Sequence, residues 1–161
     1  MTNKSLLLIL FLLPAFAFAQ TAAELDALLE TNTISTSPAA RFTLGAAGLT
    51  PPELSGAAAT NAAYQEALSN GWVTIGPDDA ITLQEMAFLM MNAFEIKGGI
   101  MYTIFRSPRY AYREMIYHRL IQGRTDANMK LSGQQFLQIL GNTLNHIGER
   151  EEMDAILRDR G

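Results

Sequence analysis

Two stretches of the chain, AYQEALSNGWVTIGPDDAITLQEMAFLMMNAF at residues 63–94 and AYREMIYHRLIQGRTDANMKLSGQQFLQILGNTL at residues 111–144, are versions of one pattern. Their offset is 48 at the start and 50 after a two-residue difference in the central loop. Self-similarity at a fixed spacing marks a repeated supersecondary unit that buries its apolar face only against its neighbours. Each stretch reads as helix, loop, helix. The second helix of each opens on a capping box, Thr82 with Glu85 and Ser132 with Gln135. In such a box the hydroxyl accepts from a free N–H of the first turn and the fourth residue bonds back. Apolar residues then recur three and four apart, at Met86, Leu89, Met90 and Ala93 and at Phe136, Ile139 and Leu140, with Thr143 next. That spacing is the stripe of a half-buried helix.

A weaker copy lies upstream, where ISTSPAARFTLGAAG from Ile34 can be laid on the run from Ile81. Ser35 then matches Thr82, and Ala39, Phe42, Thr43 and Ala46 take inward positions. Pro38 falls in the first helical turn, where its missing N–H costs little. The helix before it carries Leu25, Leu28 and Leu29 on one face. Pro51, Pro52 and Gly56 separate this copy from the next, and Gly98-Gly99 closes the second. The expected fold class is all-α: three tandem helix-loop-helix repeats, as helical hairpins, packed as one compact domain, plus a short C-terminal helix. Helices are predicted at 22–30, 36–47, 59–70, 83–96, 109–119 and 133–146, with the charged tail helix at 149–161. The predicted core is Leu28, Phe42, Leu68, Trp72, Met86, Leu89, Met90, Phe94, Ile116, Leu120, Phe136, Ile139 and Leu140.

The N-terminus reads differently. Lys4 precedes an apolar run from Leu6 to Phe18, 13 residues long, which ends in Ala17-Phe18-Ala19. A membrane-spanning helix needs about 20 apolar residues, so residues 1–19 read as a cleavable secretory signal peptide. The expected location is outside the cytoplasm, in a periplasm or at the cell surface. The remainder, 20–148 as the repeat domain and then the tail, has the size of one domain. There is no cysteine, which leaves no disulfide framework, thiolate metal site or catalytic thiol. After residue 19 there are eleven bases against sixteen acids, a balance that argues against a nucleic-acid partner.

Charge is segregated along the chain. Residues 20–96 hold one base, Arg41, and nine acids, whereas residues 97–130 hold seven bases and two acids. Those bases are interleaved with Tyr102, Phe105, Tyr110, Tyr112 and Tyr117. Guanidinium donors beside aromatic faces suit an anionic partner. The candidate ligand-binding residues are Arg106, Arg109, Tyr110, Tyr112, Arg113 and Arg124. No Gly-x-Ser-x-Gly elbow, phosphate loop or His-Glu-x-x-His occurs, and no enzyme activity, cofactor or metal site is expected. His118 and His146 stand 28 apart with no second ligand one helical turn away. The loop at Asp126 and Asn128 has Lys130 where a calcium ligand would stand. Met86, Met90 and Met91 read as core filler.

The third copy resembles the S-layer homology domains of bacterial envelope proteins. Phe105, Pro108 and Tyr110-Ala111-Tyr112 are similar to that family's opening, Leu120 to Asp126 to its loop, and Leu131 to Phe136 to its last element. Ala63-Tyr64, Gly71-Trp72-Val73, Gly76-Pro77-Asp78 and Ile81 to Met86 fit the same frame, and the resemblance spans about residues 22–145. It implies a three-repeat helical prism that holds an anionic, often pyruvylated, cell-wall polysaccharide, with a scaffold or assembly subunit binding another envelope protein as the alternative. The arginine by which the family grips its polymer is replaced by Thr36, Leu83 and Gly133.

Overall fold

The computed structural model describes residues 22–51, 53–123 and 125–159. The predicted signal peptide and Arg124 therefore lie outside the described residues. The fold is all-α. Among the described residues the helices are α1 (22–29), α2 (Thr36–Ala46), α3 (Gly56–Ser69), α4 (Leu83–Ala93), α5 (Ile100–Ile104), α6 (Pro108–Tyr117) and α7 (Gly133–Asp159). No strand forms among them; two isolated antiparallel bridges, Ser35 with Ala80 and Thr82 with Lys130, are the extended pairings. No described helix is long and apolar enough to cross a membrane.

Those bridges lie where three short segments meet, each just ahead of a helix. Ile34, Ile81 and Leu131, which the sequence alignment equates, are all fully buried. The Thr36 N–H donates to the Asp79 carbonyl, the Leu83 N–H to Met129, and the Gly133 N–H to Thr31, each at 2.9 Å. Ser37 N–H bonds to Pro77 and Gln84 N–H to Ala127, at 2.9 and 3.0 Å. The segments thus close a ring of backbone hydrogen bonds, which satisfies polar groups that burial would otherwise penalise. Gly133 is held tightly in this ring, since a Cβ there would stand 1.7 Å from the Leu28 carbonyl oxygen.

Helices α3 and α4 do not pair closely as a hairpin. The main packing is α3 against α2 and α6 against α4, with α2 also touching α4 and α5 touching α6. The first helix of each unit thus lies on the second helix of the unit before it. Buried Ala59, Ala63 and Ala67 give α3 a shallow face that lets a neighbouring helix come close. At the equivalent sites α6 buries Ala111 and Met115.

Both capping boxes form. Thr82 Oγ1 accepts from the Glu85 N–H and Glu85 returns a carboxylate to the Thr82 N–H at 2.8 Å. Ser132 and Gln135 make the same exchange at 3.2 and 3.0 Å. Three expectations fail. Leu68 and Ile116 are 40% and 41% exposed, because Ala67 and Met115, one residue and about 100° earlier on each helix, take the inward position. On α1 Leu28 alone of the three leucines is buried, Leu25 and Leu29 facing out, and Ala46 faces out on α2. The tail is no separate helix: α7 continues through Gly148 to Asp159. A glycine inside a helix costs only about 1 kcal/mol.

Candidate functional site

The site begins where α4 ends. Helix α4 stops at Ala93, and Glu95 takes the left-handed conformation (φ 51°) that reverses the chain. The chain then passes Gly98 and Gly99 into α5, a helix of five residues that periodicity did not reveal. Tyr102 of α5 is 3% exposed and turned inward, and a Cβ at Gly98 would lie 2.6 Å from its ring. Here glycine is required by close approach. The opposite side of α5 is open: Ile100, Met101, Ile104 and Phe105 are 78%, 47%, 63% and 54% exposed.

Between the α4 terminus and α5 is an open cleft of about 740 Å³, lined by Trp72, Asn92, Lys97, Tyr102 and Arg106 among others. Arg106 Nη2 donates to Asn92 Oδ1 at 3.0 Å, while Asn92 Nδ2 donates to the Phe88 carbonyl at 2.7 Å. One guanidinium edge is thereby fixed and the rest of the group faces solvent. The Tyr102 hydroxyl is buried without a hydrogen-bond partner. Burial raises the Tyr102 phenol above its ordinary value, opposed by the polar side chain of Arg106 beside it, then by the Arg106 charge and by Asn92.

The sequence-predicted residues separate into groups. Arg106 belongs to the cleft. Arg109 and Arg113 are exposed one turn apart on α6, hence on one face. Tyr110 is half-buried and stacks on Phe105, ring centroids 5.9 Å apart at 25°. Tyr112 is a correction: it is buried, and its hydroxyl bonds Thr125 at 2.9 Å, so it supports the loop and presents no ring face to a partner. Tyr64, its equivalent, bonds Ile75 at 3.0 Å in the same manner. Arg124 lies outside the described residues. Trp72, expected in the core, is half-buried and lines the cleft. Among the described residues the one ion pair is Arg41 with Glu24 at 3.9 Å, which leaves Arg106, Arg109 and Arg113 without a carboxylate partner there.

Sequence reasoning missed Asn92 and Tyr102 as site residues. Asn92 carries no charge and sits in no motif, and Tyr102 counted only as one aromatic among five. Their roles depend on the turn after α4, for which no periodic signal exists. Thr36, Leu83 and Gly133, which occupy the arginine positions of the S-layer homology pattern, are all buried, and Leu83 lines a cavity of about 90 Å³ with no charged residue in its wall among the described residues. His118 and His146 are brought together, ring centroids 5.1 Å apart. Burial, then the neighbouring His146, lowers the His118 pKa. No group of three His, Asp or Glu side chains suited to a metal ion occurs among the described residues. No protein-family model matches the chain, and no curated protein or solved structure matches it.

Proposed function

We propose that this chain is an exported, non-catalytic binding protein of the cell envelope, built of three S-layer-homology-like repeats, that holds an anionic cell-wall or surface polysaccharide. The observation that carries the reading is the Arg106 guanidinium, anchored on Asn92 at the edge of an open cleft that Trp72 also lines. A fixed guanidinium binds a carboxylate with directional, charge-assisted hydrogen bonds. An indole offers a flat apolar face to a sugar ring. Arg109 and Arg113 extend the positive field along α6 for the next residues of a polymer.

The test is retention of the exported chain on purified envelope material at low salt. Changing Arg109 and Arg113 together to glutamate abolishes retention, and added salt weakens it in the wild type. Thermal stability stays nearly constant, because exposed charges contribute about 0–1 kcal/mol each. Retention that survives both the double substitution and high salt defeats the reading.

One observation favours the alternative of a scaffold subunit that binds another protein. The aliphatic side chains Ile100 and Ile104 are more than half exposed on α5. A polysaccharide has little use for them, whereas contiguous exposed apolar groups mark protein contacts.

A further inference from the structure

Beyond residue 147 helix α7 leaves the body of the domain. Residues 148–159 are helical and every one of them is exposed. Twelve residues at 1.5 Å each make an arm about 18 Å long. An isolated helix of this length is marginal in water, and Gly148 at its root weakens it further. The arm nevertheless has an apolar edge, where Met153, Ile156 and Leu157 are 59%, 44% and 61% exposed at the three- and four-residue spacing of one helix face. Around that edge stand Glu149, Glu151, Glu152, Asp154 and Asp159 against Arg150 and Arg158, a net charge of −3.

The complementary chemistry is on the same molecule. Residues 97–119 hold five bases, Lys97, Arg106, Arg109, Arg113 and Arg119, against one acid, Glu114, a net charge of +4. Lys97 and Arg106 line the cleft on the Tyr102 side of α5, Arg109 and Arg113 are exposed on α6, which packs against α5, and Ile116 and Tyr117 at the end of α6 are 41% and 80% exposed. An acidic helix with an apolar edge matches a basic face with an apolar centre. Two arms laid side by side would instead bring two charges of −3 together, which disfavours tail-to-tail pairing. The arm is the continuation of a helix whose first turn is fixed in the hydrogen-bonded ring; at His146 it is level with the end of α6, and because residues 148–159 are all exposed, its own domain does not cover it.

We infer that the free end of α7 docks on the α5–α6 face of a second copy of this chain. This deepens the assembly reading; it shares Arg109 and Arg113 with the proposed polysaccharide surface and leaves the Arg106 cleft open. Leu157 and Met153 seat against Ile104 and Ile100, and Glu151, Glu152 and Asp154 meet Arg109 and Arg113. Exchange of both arms closes a dimer; one-way docking builds a chain of copies.

The native chain has no cysteine, so paired single-cysteine variants report the contact directly. The exported chain is prepared as Ile104→Cys and as Leu157→Cys, and the two are mixed and mildly oxidised. The expected product is a disulfide-linked pair containing one of each variant, in excess of either self-linked pair. In sedimentation, Met153→Asp with Leu157→Asp weakens association about tenfold or more, the loss typical of truncating an interface anchor. The same variant keeps its retention on envelope material, which separates failure of this inference from failure of the polysaccharide reading. Self-linking of Leu157→Cys as the main product, or a monomeric mass at every concentration, overturns the inference.

Discussion

The two units α3–α4 and α6–α7 share their internal connections and differ at their ends. In both, a tyrosine early in the first helix bonds the loop, Tyr64 to Ile75 and Tyr112 to Thr125. In both, the chain leaves the first helix by the same bonds, Trp72 N–H to Ala67 and Leu120 N–H to Met115, each at 2.8 Å. Both second helices open on a capping box. The ends diverge: α4 stops at Ala93 and yields the turn that builds the cleft, whereas α7 runs on into an exposed arm. The shared parts hold the body together, and the parts that differ carry the surfaces proposed for binding.

Substitutions at equivalent places break that comparison most sharply. Position 133 is glycine where its counterparts are Leu83 and Thr36, because it alone lies against the Leu28 carbonyl. Gly133→Ala is expected to destabilise by at least about 3 kcal/mol, since backbone must move to admit the methyl group. Denaturant unfolding measures it, and a loss below 1 kcal/mol would show that the ring yields easily. Next come the tyrosines. Tyr64→Phe and Tyr112→Phe should each cost about 1 kcal/mol, the net value of one hydrogen bond, and clearly unequal losses would mean that the two loops are not held alike.

A smaller effect of opposite sign is expected at the turn after the first helix. Gly71 and Arg119 are equivalent there and both have positive φ, 68° and 59°. Glycine adopts that region freely and arginine does not, so Arg119→Gly should stabilise by about 0.5–1 kcal/mol in the same assay. The reverse change, Gly71→Arg, should cost a similar amount.

The smallest expected effect is a pH dependence confined to the α6–α7 unit. Burial holds the His118 pKa below the ordinary imidazole value of about 6.5. The unfolded chain therefore binds this proton more readily than the folded one. The stability it confers is complete above pH 6.5 and is lost as pH falls toward the folded value. Melting temperature should decline over that window, and His118→Gln should flatten the decline. An unchanged slope in the variant assigns the dependence to another group.

How much of this was legible in the sequence follows the same division. Capping boxes, apolar stripes and the alignment of the two long stretches were readable because hydroxyl-x-x-carboxylate spacing and helical period have local causes. The starts of the six predicted repeat helices agree with the structure to within three residues. Local signals do not tell which of two adjacent apolar residues turns inward, and so Leu68 and Ile116 were assigned to the core in place of Ala67 and Met115. The five-residue α5 is shorter than two helical turns and shows no period, so neither its exposed aliphatic side nor the burial of Tyr102 was foreseen. Arg106, Arg109 and Arg113 were found by charge clustering alone. The partner of Arg106 was hidden, because Asn92 reaches it only through the turn at Glu95.

The proposal that the turn after α4 builds the binding site is tested most directly by the affinity of the chain from residue 20 onward for purified anionic envelope polysaccharide, wild type against Arg106→Ala. The account predicts a loss of about tenfold or more for the variant, the value of one charge-assisted hydrogen-bonding group, with melting temperature unchanged. Equal affinity of wild type and variant under low salt would contradict it and place the polymer away from the cleft.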